Sequence, residues 1–220
     1  MMPFDVVMFD WDGTLMDSTT AIAESLQAAC NDLNLPVPSD EAARYIIGLG
    51  LQDAFEYVLP GLKSEQYEQV LIRYRAHFIA RDRETSLFDG VTELLTELLD
   101  HGFLLAVATG KSRQGLERAF EASGLRRYFH TTCCADESQS KPHPEMLQTI
   151  MARLKVEPHR ALMVGDTTHD LLMAQAAGVA SVGVSYGAHP RQPLLDCTPL
   201  LIADDVKSLR EWLFSAQHKR

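Results

Sequence analysis

Basic charge is the commodity this chain has least of. Its 220 residues carry 20 Lys and Arg against 30 Asp and Glu, a formal net charge of −10. Duplex-binding proteins normally show a basic footprint, so nucleic acid is not expected among its partners. A small anionic ligand is still compatible, because a metal ion and two or three local cations can invert the field of one pocket. Cysteine is sparse as well. Cys30, Cys133, Cys134 and Cys197 form no C-x-x-C pair, which argues against tetrahedral zinc, and four are too few for a disulfide framework. They are expected to be buried thiols in a reducing compartment. Long apolar runs are missing too: stretches such as Phe103 to Ala108 fall far short of the ~18 residues of a membrane span. The first residues, Met1 to Asp5, show neither the basic n-region nor the cleavable apolar segment of a signal peptide. No membrane partner and a cytoplasmic location are the expectation. No internal repeat or low-complexity stretch is visible.

What is present is the balance of a globular chain, 46% apolar and 23% charged residues. The length allows one large domain or a core with a small insert. Phe4 to Phe9 is a short β-rich run stopped by Asp10-Trp11-Asp12-Gly13. From Ser18, a candidate N-cap, the pattern turns helical, with Ile22, Leu26, Ala29 and Leu33 on one face. Helical spacing continues over 41–47, 51–59 and 64–81, so the whole of 17–85 reads as helical. Beyond it, strands at 104–108, 130–135, 161–164, 179–184 and 200–202 alternate with helices at 91–99, 112–123, 144–154, 168–177 and 206–213. Repeated apolar strand–helix units predict an α/β fold with a doubly wound, mainly parallel sheet. The expected division is an α/β core, 1–16 plus 86–220, interrupted after its first strand by an all-helical insert, 17–85.

Ligands of open α/β sheets sit beyond the carboxyl ends of the strands. Four such ends are polar here: Asp10-x-Asp12-Gly13-Thr14, Thr109-Gly110, the loop with Lys141-Pro142, and Gly165-Asp166-Thr167-Thr168-His169-Asp170. Hard carboxylate oxygens suit Mg²⁺, which is typically held by one or two carboxylates together with substrate phosphate. An Asp can also attack phosphorus and form an aspartyl-phosphate that water hydrolyses. Gly13 allows a sharp turn that separates the tasks of Asp10 and Asp12, and Lys141 can offset charge on phosphoryl oxygens.

These four segments, in their order and spacing, make the sequence similar to the haloacid dehalogenase superfamily, in its branch with a helical cap after the first strand. The resemblance covers essentially the whole chain. It implies that Asp10 is the nucleophile, Asp12 the general acid/base, and Thr109 with Gly110 and Lys141 the phosphoryl-binding group. It further implies a Mg²⁺ site formed by the Asp10 and Asp166 carboxylates with the Asp12 backbone carbonyl. Asp170 would support that site, either through water or by orienting Lys141; its other reading is a helix cap.

The implied activity is a Mg²⁺-dependent phosphatase of a small phosphorylated metabolite, closest to phosphoglycolate phosphatases, acting as a monomer or homodimer. A phosphosugar mutase uses the same motifs, although Gly13-Thr14-Leu15 fits the phosphatase pattern better. A dehalogenase would lack Asp12, and a phosphonate hydrolase needs a cap lysine for which Lys63 is a poor candidate. A non-catalytic binding module and a phospho-receiver domain are disfavoured by the intact acidic set and by the insert. Lys111 ranks behind Lys141 as the functional cation. His169 reads as a solvated residue at a helix start, Trp11 as packing, and Asp17 as a cap or brace at the hinge. His189-Pro190-Arg191 fits either the site mouth or a surface loop. Arg44, Arg73, Arg75, Arg81 and Arg83 are candidate partners for a substrate carboxylate. Two short connections, near 16–18 and 85–89, would permit the insert to hinge.

Overall fold

The computed structural model describes residues 4–82 and 85–215. After β1 (Val6–Phe9) the chain makes a tight turn and a two-residue strand, β2 (Met16–Asp17). Four helices follow: α1 (Thr19–Asp32), α2 (Asp40–Tyr45), α3 (Leu51–Val58) and α4 (Ser64–Asp82). The chain returns through β3 (Ser86–Leu87), which pairs antiparallel with β2, Met16 opposite Leu87 and Asp17 opposite Ser86. Within 17–85 the regular elements among the described residues are helices except at Asp17, which ends β2. The chain enters and leaves the insert at one place, so its two connections lie side by side and satisfy each other's backbone groups.

From there strands and helices alternate. They run α5 (Val91–Asp100), β4 (Leu104–Thr109), α6 (Arg113–Ser123), β5 (Thr131–Cys134), α7 (Glu145–Leu154) and β6 (Ala161–Gly165). The last part holds α8 (Thr168–Ala176), β7 (Ala180–Val184), α9 (Arg191–Asp196), β8 (Ile202–Ala203) and α10 (Val206–Ser215). The helix α9 falls where sequence patterning predicts no element; at six residues it is too short for periodicity to reveal.

Six strands form one sheet in the order β5-β4-β1-β6-β7-β8, every pair parallel. Val6 stands opposite Leu104 on one side and Ala161 on the other. The chain builds outward through β4 to β5, then returns to β6 on the far side of β1. The carboxyl end of β1 thus lies at the switch point where such sheets open a crevice. Alternation along the strands fills both faces. Val7, Phe9, Leu105 and Val107 pack with Leu95 and Leu98 of α5 and Leu116 of α6. Val6, Met8, Ala106 and Ala108 pack with Leu147 and Ile150 of α7 and Met173 of α8. Truncating one fully buried side chain such as Leu95 to Ala is worth about 2–5 kcal/mol. The insert has its own apolar cluster, including Leu26, Cys30, Phe55 and Val70. Three of the four cysteines are buried as expected, but Cys197, after α9, is only half-buried. Among the described residues no helix is long and apolar enough to cross a membrane.

Candidate active site

The first carboxylate is placed by the central strand. Asp10 directly follows β1, and its N–H donates to Val164 O at 2.9 Å, which anchors it between two strands. Trp11 then turns the chain: Leu15 N–H and Met16 N–H both donate to its carbonyl at 3.0 Å. Its ring is fully buried and meets Phe120 edge-on at 5.2 Å, the packing role expected of it. Gly13 sits in this turn at φ +81°, and a Cβ there would lie 2.1 Å from Asp166 Oδ2. No other residue type fits.

Lys141 comes from the loop before α7 and is entirely buried. Its Nζ lies 2.6 Å from Asp10 Oδ1 and 2.6 Å from Asp170 Oδ1. The other oxygen of Asp170 accepts from Thr167 N–H at 3.1 Å and Thr167 Oγ1 at 2.6 Å, completing a capping box at the start of α8. Capping a helix and orienting Lys141 are thus done by opposite oxygens of one carboxylate. Asp166, fully buried at the end of β6, accepts from Thr14 Oγ1 at 2.9 Å and Ala188 N–H at 2.7 Å. Thr14 and Ala188 were not singled out in the sequence, though Thr14 stands inside the Asp-Gly-Thr run.

One oxygen from each of Asp10, Asp166 and Asp170 lies within 4.8 Å of the others. Burial pushes the Asp10 carboxyl up to about 7; Lys141 opposes this, while Asp170 and Asp12 add to it. Asp166 is raised well above its ordinary value by burial, then by Asp10 and Asp170, despite the bonds from Ala188 and Thr14. Burial disfavours charge on Lys141 too, but Asp10 and Asp170 overcome it and hold the ammonium above its usual range. Three carboxylates thus share one cation, and Asp10 Oδ2 is buried without a hydrogen-bond partner. An orphaned hard oxygen in an over-acidic cluster fits a small divalent cation.

Asp12 faces a different environment. Its Oδ1 accepts from Ser18 Oγ at 2.6 Å and pairs with Lys111 Nζ at 3.0 Å. Ser18, expected as an N-cap, makes no side-chain cap bond because its hydroxyl is spent on Asp12. Lys111 stands closer to the chemistry than its sequence ranking implied. It follows Thr109 and Gly110 at the end of β4, and its Nζ also lies 4.8 Å from the Phe78 ring centre. Thr109 is buried, its Oγ1 accepting from Lys111 N–H at 3.2 Å. At Gly110 a Cβ would come within 2.5 Å of the carbonyl oxygens of Gly48 and Leu49, so the insert rests directly on the strand-end backbone.

A second junction corrects the reading of His169 as solvated. His169 Nε2 and His189 Nε2 lie 2.8 and 2.9 Å from Tyr45 O, and Thr168 N–H donates to His189 Nδ1 at 3.0 Å. Both rings are buried, and burial lowers the pKa of each. His189 therefore belongs to the contact between core and insert rather than to a surface loop. Of the candidate arginines, Arg44 bonds Asp40, Thr19 and Thr20, and Arg81 pairs with Glu24. Arg73 is exposed, Arg75 lines a cavity beside Asp12, and Arg83 lies outside the described residues. Asp17 is exposed within β2.

The profile of the haloacid dehalogenase-like hydrolases matches residues 7–184. The chain belongs to that family. It is 39% identical over 204 residues to a probable phosphatase, IndB, of Dickeya dadantii, covering 90% of this chain and 89% of that one. It is 31% identical over 216 residues to the phosphoglycolate phosphatase of Mannheimia succiniciproducens, covering 94% and 96%. Among solved structures, a predicted phosphatase from Clostridium acetobutylicum superposes with a TM-score of 0.84 at 27% identity, over 96% of this chain and 99% of that one. These relatives put this hydrolase among the phosphatases of its family.

Proposed function

We propose that this enzyme is a Mg²⁺-dependent phosphatase of a small phosphorylated metabolite, phosphoglycolate-like in bearing a second anion, and that it works through an aspartyl-phosphate. The observation that carries the reading is the split environment of Asp10. One oxygen is clamped by Lys141 at 2.6 Å and the other is buried and bare. A carboxylate oriented in this way is prepared to attack.

In the first half-reaction an Asp10 oxygen bonds to phosphorus while the phosphorus–alkoxide bond breaks. Asp12 gives its proton to the departing oxygen, an assistance worth roughly 10²–10⁴-fold. In the second, water attacks the phosphorus of the aspartyl-phosphate, Asp12 takes its proton, and inorganic phosphate leaves with Asp10 restored. Thr109, the Gly110 backbone and Lys141 receive the phosphoryl oxygens. The Asp10 and Asp166 carboxylates with the Asp12 carbonyl would hold Mg²⁺, which when bound supplies charge that offsets the acidic cluster and draws phosphoryl oxygen. Asp170 keeps Lys141 in place from behind. The insert, 17–85, serves as a cap over the 1–16 and 86–220 core, and it excludes water while the aspartyl-phosphate forms. We place the enzyme in the cytoplasm, a reducing compartment that suits its free cysteines.

Asp10→Asn tests the assignment. The amide keeps the shape but cannot attack, and loss of a nucleophile is expected to lower phosphate release by at least about 10³-fold with circular dichroism unchanged. A folded variant that keeps more than about a tenth of the wild-type kcat removes Asp10 as nucleophile.

A further inference from the structure

A cavity opens between the insert and the ends of β1 and β4, with Asp12 and Lys111 in its wall. The insert lines it with apolar side chains, among them Ile22, Leu26, Ile46, Phe55 and Phe78. Phe78 is almost fully buried and stacks on Tyr74, ring centres 5.9 Å apart and 16° from parallel. Two further cations line the cavity, exposed Arg75 and half-buried Arg118. Neither pairs with a described carboxylate, whereas Arg44, Arg81 and Arg113 all do. The third cation, Lys111, is already neutralised by Asp12.

These walls suit few leaving groups. A sugar would press several hydroxyls against apolar side chains that offer them no hydrogen bonds. A two-carbon acid would leave the aromatic and aliphatic wall uncovered. We propose that this cavity selects phosphate monoesters whose alcohol part has a compact apolar body and ends in a carboxylate. Phe78 and its neighbours cover the body, and Arg75 with Arg118 meet the carboxylate, a group that the planar guanidinium fork matches. The proposal rests on the phosphatase reading above, and it differs from a phosphoglycolate substrate in requiring the apolar body.

The test measures phosphate release from para-carboxybenzyl phosphate, benzyl phosphate, phosphoglycolate and glucose 6-phosphate. All are primary alkyl esters, so leaving-group basicity changes little along the series. The expected kcat/KM for the carboxybenzyl ester is at least about tenfold above those for phosphoglycolate and glucose 6-phosphate, the range that pocket contacts supply. In Arg118→Met and in Arg75→Met, the ratio of carboxybenzyl to benzyl ester is expected to fall, by about tenfold for the more buried Arg118. Arg118→Lys, which keeps the charge without the fork, is expected to fall between wild type and Arg118→Met. The ranking of substrates by the wild-type enzyme needs no variant to fold. Glucose 6-phosphate or phosphoglycolate turned over as well as the carboxybenzyl ester overturns the proposal, and so does a ratio unmoved by both arginine changes. Turnover of para-nitrophenyl phosphate separates the two levels. If that ester is hydrolysed while the ranking fails, only the selectivity is wrong; if the wild type releases phosphate from no ester, the phosphatase reading falls as well.

Discussion

The strand ends and the helical insert face each other across one cleft but are made of opposite materials. On the strand side, Asp10, Asp166, Asp170 and Lys141 are all buried and bonded mainly to one another and to neighbouring strand ends. On the insert side, the groups that touch the core are uncharged: backbone carbonyls at Tyr45, Gly48 and Leu49, the Gly50 N–H on Ser140 Oγ, the Ser18 hydroxyl on Asp12, and rings such as Tyr45 and Phe78. Charge is placed where a parallel sheet holds atoms to tight tolerances, since a reacting constellation works only when its geometry is fixed. The helical wall has no such burden. Apart from Ser18 and Phe78, which touch the Asp12–Lys111 pair, its side chains can be exchanged without disturbing a buried ion, which suits the part of an enzyme that chooses among substrates.

The sharpest way to break this contrast is to remove one charge from each side. Lys141→Met strands Asp10 and Asp170 as buried like charges, and urea unfolding is expected to show a loss of about 3–5 kcal/mol. Arg81→Ala breaks an exposed pair with Glu24 in the insert and is expected to cost less than about 1 kcal/mol. Similar losses from both would erase the distinction.

Asp12→Asn probes the boundary between the two materials, because Asp12 answers to Ser18 and to Lys111 beneath Phe78. If its main task is to protonate the leaving oxygen, alkyl phosphates should lose about 10²-fold or more while an aryl phosphate with an acidic phenol loses far less. Equal losses on both would assign Asp12 mainly to placing the metal or the loop.

A third test concerns pH and metal together. The folded-state pKa of Asp10 is raised from 3.8 to about 7. The metal-free protein therefore gains its stability from this group below the unfolded value and loses it as pH rises through about 7. A divalent cation binds the ionised carboxylates, so its stabilisation should grow in the same direction. At a hundredfold excess over Kd, Mg²⁺ is expected to add about 2.7 kcal/mol near pH 8 and clearly less near pH 5.5. Thermal shifts of equal size at both pH values would argue against these carboxylates as the ligands.

The strand ends could be read from the sequence because each is a polar cluster directly after an apolar run, and a parallel sheet gathers such ends together. Asp10, Lys141, Asp166 and Asp170 indeed converge. What escaped notice was contact between segments with no local pattern in common. Lys111 reaches Asp12 between the ends of neighbouring strands β4 and β1, although its place directly after Thr109-Gly110 was a usable signal. His169 and His189, twenty residues apart, meet at a carbonyl of the insert, and no periodicity encodes that. The β2–β3 pair was invisible for another reason: two residues on each side carry no alternation to detect.

Gly110 has a consequence for how this cleft can change over time or under engineering. Backbone meets backbone there, with room for nothing larger than hydrogen between Gly110 and the carbonyls of Gly48 and Leu49. A single methyl at that point would act as a doorstop, propping the two halves apart and letting solvent run between them. A wall that can be redecorated thus hangs on a joint that tolerates no ornament, so new selectivity is available through Phe78 or Arg75 but not through the seam itself.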